Sequence, residues 1–196
     1  MSLVFYGNDA KDGEKGAMRQ INKVFKDTKV NLKGSEYAVK YEFSSEVVTD
    51  ETMVKDMMEN ENSHLNNYIR VEKTGSTIRE EDNTYVSETD LKSRNSGHWI
   101  TQEITDENST TAAHEVTHLI GIDHPTHLPP NDISIAKDKA LHPRKASSVT
   151  AAFILSSSRE NRKDISGFWD RVMGQERFGI GTTKSVFFNE GGYREE

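Results

Sequence analysis

Cysteine is absent from this chain of 196 residues. Its absence excludes disulfide bonds, thiolate zinc sites and inhibition by a cysteine that blocks a metal site, all within this chain. Long apolar runs are missing as well, since no stretch approaches the roughly 18 residues that a membrane-spanning helix needs. We therefore expect no membrane span, and a fold that depends on packing rather than on covalent cross-links.

An excess of positive charge is also missing. The chain has 25 Lys and Arg residues against 32 Asp and Glu residues, which gives a net charge of −7. Binding to a phosphate backbone depends on clustered Lys and Arg side chains that release counterions. We therefore expect no nucleic-acid partner. The length suits a single domain, residues 1–196, that is large enough for a core of its own.

Histidine, by contrast, is concentrated in the segment HEVTHLIGIDH, which runs from His114 to His124. The sequence predicts a helix over residues 108–120, and in a helix His114 and His118 lie one turn apart on the same face. Gly121 can adopt the left-handed conformation that ends a helix. His124 follows this reversal and is itself followed by a proline. The spacing predicts that three imidazoles converge on one point.

Three neutral imidazoles are a ligand set for a catalytic zinc ion. They fill three corners of a tetrahedron and leave the fourth for water, whereas a structural zinc site is closed. Bound zinc lowers the pKa of that water to about 7. Glu115 is placed to take the proton of the water and to hand it to a leaving amine. We predict His114, His118 and His124 as ligands and Glu115 as general base; zinc is the expected ion, although nitrogen ligands also suit other first-row metals.

The full pattern HExxHxxGxxH resembles the signature of the metzincin metallopeptidases at all five fixed positions. The resemblance implies a zinc-dependent endopeptidase that acts on a peptide or protein substrate. It also implies an α+β or α/β fold with a twisted, mostly parallel sheet, an antiparallel edge strand, a zinc helix and a loop-rich C-terminal half. Residues 1–124 would then form the upper half of the domain, and residues 125–196 the lower half.

Further metzincin features have candidates in this chain. Metzincins carry a methionine in a tight turn beneath the metal, and Met173 is the one methionine after the third histidine. We predict Met173 and Gly121 as structural supports of the site. Metzincins also have an edge strand along the rim of the cleft, with which an extended substrate pairs, and Thr84 to Glu88 is the candidate. The tyrosine ligand and the calcium repeats of serralysin-like enzymes are missing, so no family within the clan is assigned.

A competing third ligand is Glu160, which forms an ExxxD step with Asp164. In the gluzincin clan, which shares HExxH, such a glutamate binds the metal and the aspartate orients a histidine. Gly121 and His124 match the metzincin pattern and favour His124 as the third ligand. The other interpretation of Glu160 is a charged residue on a solvated helix.

Hydrophobic periodicity predicts the elements that precede the zinc helix. Gly13 and Gly16 are interpreted as interruptions of regular structure, so a first helix is predicted to begin at Ala17. A second helix is predicted over residues 50–61. The predicted strands are residues 3–6, 36–43, 67–73 and 98–104.

Two other functions remain open. The chain can be a toxin or effector domain with a narrow protein target, or a non-catalytic binding module in which the metal only stabilises the fold. The intact Glu115 disfavours the second alternative. The absence of cysteine fits a bacterial origin, and we expect a monomer that is secreted, or delivered outside the producing cell as part of a longer bacterial protein.

Overall fold

The computed structural model describes residues 1–25, 29–32, 35–38, 41–60, 62–80, 83–119 and 185–190. Within these ranges the elements are, in chain order, β1 Ser2–Tyr6, α1 Ala10–Phe25, β2 Lys29–Leu32, β3 Ser35–Ala38, β4 Ser44–Val47, α2 Glu51–Glu59, a 3₁₀-helix Ser63–Leu65, β5 Asn66–Glu72, β6 Ile78–Arg79, β7 Thr84–Tyr85, β8 Glu88–Thr89, β9 Ser96–Ile100, α3 Thr101–Thr105 and α4 Thr111–Leu119. Among these helices, none has the length and apolar character needed to cross a membrane.

Five of the described strands form a mixed sheet in the order β4-β1-β5-β9-β8. β1 is parallel to both β4 and β5, and β5 is parallel to β9. β8 runs antiparallel to β9 and forms one edge. The predicted class, a mostly parallel sheet with an antiparallel edge strand and packed helices, is confirmed at this level. The short antiparallel pairs β2–β3 and β6–β7 stand outside this sheet.

α1 packs along one face of the sheet because its apolar side chains recur every three or four residues. Ala17, Ile21 and Val24 lie on the buried stripe of this helix. The helix begins at Ala10, so the predicted start at Ala17 was wrong.

Gly13 and Gly16 lie inside α1 and are positions of close approach. A Cβ atom at Gly13 would lie 2.5 Å from Cγ1 of Val71, and one at Gly16 would lie 2.5 Å from the carbonyl oxygen of Ile104. Neither position has room for a side chain, so these glycines let α1 approach β5 and α3. Their interpretation as punctuation was wrong because glycine serves tight packing as well as turns.

The face of the sheet beneath α1, α3 and α4, here called the helical face, is apolar. Phe5 and Trp99 meet there edge to face, with ring centroids 5.9 Å apart. The strands and α4 contribute to one buried cluster on this face: Leu3, Phe5, Ile69, Val71 and Trp99 from the strands, and Ala112, Ala113, Val116 and Leu119 from α4. α4 is thus held against the sheet by the apolar side chains that separate its polar residues.

The other face, here called the polar face, is covered by α2 and by residues 185–190. Val54 and Met58 of α2 pack there against side chains of β1 and β5. Phe187 stacks on Tyr6, with ring centroids 5.4 Å apart. The backbone N–H of Phe188 donates to Oη of Tyr6 at 3.2 Å. This contact ties residues 185–190 to β1, an interior strand of the sheet.

A row of polar side chains crosses the polar face from strand to strand. Tyr6 is the register partner of Arg70, Arg70 of His98, and His98 of Glu88. The guanidinium of Arg70 is fully buried and donates to Oε1 of Glu72 at 2.7 Å and to the carbonyl oxygen of Phe188 at 2.8 Å.

Two of the predicted strands and one of the predicted helices agree with the structure. β1 and β5 confirm residues 3–6 and 67–73, and α2 confirms the helix predicted over 50–61. Asp50 caps α2, since its carboxylate accepts from the backbone N–H of Thr52 at 2.9 Å.

Two predicted strands were wrong in extent. Of the strand predicted over 36–43, residues 36–38 belong to β3 and residues 41–43 to no strand; the strand that joins the central sheet, β4, begins only at Ser44. The strand predicted over 98–104 ends at Ile100, where α3 begins. Ile100 and Ile104 are four residues apart, a spacing that fits one helical turn as well as one side of a strand.

Candidate metal centre

α4 carries the first part of the histidine motif and confirms the predicted helix, although it begins at Thr111 rather than at residue 108. Two side chains accept hydrogen bonds from backbone N–H groups in the first turn of this helix. Oγ of Ser109 accepts from the N–H of Thr111 at 3.1 Å, and Oε1 of Gln20 accepts from the N–H of Ala112 at 2.9 Å. These bonds satisfy two of the donors that a helix leaves unpaired at its start.

His114 and His118 face each other across one turn of α4. Their Nε2 atoms are 3.1 Å apart, and the rings are nearly perpendicular, with centroids 4.7 Å apart. Two nitrogens that each lie about 2.0–2.1 Å from one tetrahedral zinc ion are about 3.3 Å apart. The distance also suits a hydrogen bond between two neutral rings. The pair therefore fits two positions of a zinc ligand set with little rearrangement.

Glu115 lies beside this pair in a buried position. Its Oε1 is 3.9 Å from Nε2 of His114. Its Oε2 is buried and has no hydrogen-bond partner among the described residues. A buried carboxyl oxygen without a partner is costly, and a nearby cation or a water molecule would offset that cost. This unsatisfied atom fits the predicted role of Glu115 next to a metal ion.

The environment of Glu115 strongly favours its neutral form. Burial raises the pKa of Glu115 to about 8. A hydrogen bond from Thr89 opposes this shift in part, and the negative charges of Glu103 and Glu88 add to it. The carboxyl group thus lies in an environment where any positive charge would interact with it strongly.

A groove of about 440 Å³ opens beside the pair and the carboxyl group. Its walls are residues 87–92 on one side, and Glu115 and His118 on the other. The edge strand β8 lies in the first wall. Thr89 connects the two walls, because its Oγ1 donates to the carbonyl oxygen of Glu115 at 3.3 Å. α4 and the sheet edge are therefore held side by side.

The edge strand lies slightly later in the chain than predicted. Of the candidate Thr84 to Glu88, Thr84 and Tyr85 form β7 and pair with β6, so only Glu88 belongs to the strand that closes the sheet. Ser87 fixes the change of direction: its N–H donates to Oε2 of Glu103, and its Oγ accepts from the N–H of Ile100, both at 2.8 Å.

The loop from Asp90 to Asn95 continues the groove wall and was not predicted. Oδ2 of Asp90 accepts from the N–H of Ser93 at 2.8 Å, and its carbonyl oxygen accepts from the N–H of Arg94 at 2.7 Å. Leu91, at the tip, is 43% exposed. An Asp followed three residues later by Ser is a sequence signal for such a turn.

Several predicted site residues lie outside the described residues: Gly121, His124, Glu160 and Met173, together with residues 125–184 and 191–196 of the predicted lower half. The part of the chain that the structure describes contains no group of three His, Cys, Asp or Glu side chains able to hold a metal ion. The structure thus brings together two of the predicted ligands, His114 and His118, and ligation by them and by a third residue stays a prediction.

Comparison of the chain with protein-family models, with curated proteins and with solved structures found no match.

Proposed function

We propose that this chain is a zinc-dependent endopeptidase with a metzincin-like site. One observation carries the proposal: two imidazoles of α4 face each other at a distance suited to a shared metal ion, beside a groove bounded by the antiparallel edge strand. In many proteins a bound metal ion only stabilises the fold. Here a groove lies next to the proposed ligands, so a substrate would have access to the metal, as catalysis requires.

His114 and His118 hold the zinc ion, and His124 is the proposed third ligand. The two described imidazoles are suited to this role because their Nε2 atoms already face each other on a helix packed into the core. When bound, zinc acts as a Lewis acid that polarises a carbonyl group and makes a water molecule acidic at neutral pH.

A cation bound beside Glu115 would favour its charged form over the neutral one, and the carboxylate would then accept the proton of the attacking water and later give it to the leaving nitrogen. Its Oε1 is 3.9 Å from Nε2 of His114. The carboxyl group therefore lies close to the proposed metal position, but it is not proposed as a metal ligand. Its buried surroundings exclude bulk water, so that a proton it receives is passed to the substrate rather than lost to solvent.

The substrate is an extended peptide that lies along β8. β8 is the last strand of the sheet in the described residues, and a peptide added there would pass along the groove in front of His118. Main-chain hydrogen bonds to a sheet edge bind a peptide with little demand on its sequence. Side-chain preference then comes from the groove wall, where Leu91 is the large apolar residue among the residues that line it.

The finer features of the fold belong to the same proposal. The upper half with the zinc helix would be residues 1–124, and the lower half, residues 125–196, would carry Met173 beneath the metal. Gly121 would end the zinc helix and direct His124 back toward it. The protein would act as a monomer outside the producing cell.

The decisive experiment replaces Glu115 with Gln. The variant should keep its fold and one zinc ion per chain, since Gln has the same shape, but lose hydrolysis of casein or a peptide library by at least about 1,000-fold because it cannot accept a proton. Zinc is measured by elemental analysis, and Glu107→Gln, an exposed change in the loop before α4, is the control. Undiminished turnover by Glu115→Gln contradicts the proposal; zinc without hydrolysis of these substrates by the wild-type protein rejects a general endopeptidase in favour of a non-catalytic module or an effector with a narrow protein target.

A second experiment identifies the third ligand. His124→Ala should lower the zinc content well below one ion per chain, whereas Glu160→Ala should leave it unchanged, because the glycine and histidine spacing favours the imidazole. Loss of zinc from Glu160→Ala, with retention in His124→Ala, would assign the gluzincin type of site instead.

A further inference from the structure

The side chain of Gln20 makes an unusual set of contacts near the start of α4. Gln20 lies on α1, more than 90 residues before the histidine motif, and is 1% exposed. Its Nε2 lies within 3.0 Å of three carbonyl oxygens, those of Glu103, Ile104 and Asp106. Its Oε1 accepts from the N–H of Ala112 at 2.9 Å. One buried amide thus serves both the end of α3 and the beginning of α4.

The chemistry of these partners fixes the orientation of the amide. Carbonyl oxygens only accept, so the NH₂ group must face them, and the N–H of Ala112 only donates, so the oxygen must face it. Rotation of the amide by half a turn would place an oxygen against three carbonyl oxygens. Gln20 therefore has one acceptable orientation, and both chain segments are placed relative to α1.

The backbone around Gln20 leaves little freedom for adjustment. Gly16, one turn earlier on α1, brings the helix so close to α3 that a Cβ atom there would lie 2.5 Å from the carbonyl oxygen of Ile104. Ala112, whose N–H is bound by Gln20, is two residues before His114. A shift of the start of α4 would therefore move the imidazoles relative to β8.

We propose that Gln20 is a positioning residue for the metal centre, because its amide joins the carbonyl end of α3 to the first turn of α4 and so sets where His114 and His118 stand. This inference rests on the proposed function for its zinc readout. Outer partners that orient metal ligands typically contribute 10- to 100-fold to metal affinity. Gln20 would act one step further out, through the helix that carries the ligands.

The test compares zinc affinity in folded variants by competition with a chromogenic chelator. Gln20→Met removes both hydrogen-bonding ends at similar volume and should weaken zinc binding about tenfold or more. Gln20→Glu keeps the acceptor for Ala112 but replaces the donor that serves the three carbonyls; it should also weaken binding, and it takes the place of Gln20→Met if that variant does not fold. Far-UV circular dichroism verifies the fold of each variant.

The matched control is Arg19→Ala. Arg19 is the neighbouring residue on α1, and its Nη2 donates to the carbonyl oxygen of Thr105 at 2.6 Å, but it binds the α3 segment without reaching α4. The zinc affinity of the Arg19→Ala variant should equal that of the wild-type protein. Unchanged affinity in the folded Gln20 variants, or an equal loss in Arg19→Ala, overturns the proposal.

A second readout separates this inference from the proposed function. Amide hydrogen exchange in the metal-free protein should be at least about tenfold faster in α4 of Gln20→Met than in the wild-type protein, with β1 and β5 unchanged. If the wild-type protein binds no zinc, the proposed function fails, and this measurement alone decides the role of Gln20. Exchange in α4 that matches the wild-type protein would then overturn the positioning role.

Discussion

The two faces of the central sheet are built from different chemistry. The helical face joins strands and helices through aliphatic and aromatic side chains and carries α4. The polar face presents Tyr6, Arg70, His98 and Glu88 in one row. Packing on the helical face resists changes of volume, whereas the row on the polar face responds to changes of charge. The candidate site stands on the helical face, because α4 packs there.

The largest effect is expected from a cavity on the helical face. Trp99 is fully buried against Phe5, so Trp99→Ala should lower the free energy of unfolding by about 3–5 kcal/mol. Denaturant unfolding followed by circular dichroism measures the change. Val47→Ala, at a partly exposed position on the edge strand β4, is the control. A loss below about 1 kcal/mol for Trp99→Ala would mean that this face tolerates changes of volume.

Removal of a charge from the polar face should lower the free energy of unfolding somewhat less than Trp99→Ala does. A second substitution should recover part of this loss. Arg70→Met leaves the buried carboxylate of Glu72 without its cation and should cost about 3 kcal/mol. Arg70→Met combined with Glu72→Gln should recover part of the loss, because no buried charge is then left unpaired. A double variant whose loss equals the sum of the two single losses would show that the pair is not coupled.

The smallest of these effects depends on pH. Burial lowers the pKa of His98 to about 4, and the charge of Arg70 lowers it while that of Glu88 raises it. Because the folded-state pKa lies below the unfolded value of about 6.5, the unfolded chain takes up the proton first as the pH falls. Stability should be full above about pH 6.5 and should decline toward pH 4, by roughly 2–3 kcal/mol.

The variant His98→Phe isolates this effect. It should lack the part of the pH dependence that His98 contributes, so the difference in unfolding free energy between the two proteins should change from pH 7 to pH 4. A difference that stays constant over this range would show that His98 does not titrate in this way, and the expected pH response of the polar face would be refuted.

Local features were predictable from the sequence, because their geometry is set within a few residues. The separation of His114 and His118 by one helical turn follows from the spacing alone, and the structure places their Nε2 atoms 3.1 Å apart. β1 was predictable because it is a short apolar run bounded by turn residues, and β5 because it carries Tyr68, Ile69 and Val71, which favour strands, before the closing Gly75. The mostly parallel sheet followed from the resemblance carried by the motif.

Features that depend on distant partners were not predictable. β8 has two residues, too few for a pattern, and its place depends on pairing with β9 and on the bonds of Ser87. Gln20 is a polar residue on an amphipathic helix, and its burial is favourable only because α3 and α4 supply hydrogen-bond partners for its amide. The glycines of α1 were misinterpreted for the same reason, since the close approach of Ile104 is invisible in the local sequence.

The position of β1 has a consequence for the order in which the chain folds. Ser2 pairs with Ser44 on one side and with Asn66 on the other, so β1 is an interior strand that is synthesised well before either of its neighbours. During translation β1 must wait, with an apolar segment exposed, until both partners have left the ribosome. Such long-range pairing slows folding and makes the waiting chain prone to aggregation, so chaperone binding to residues 2–6 would benefit this protein most at that stage.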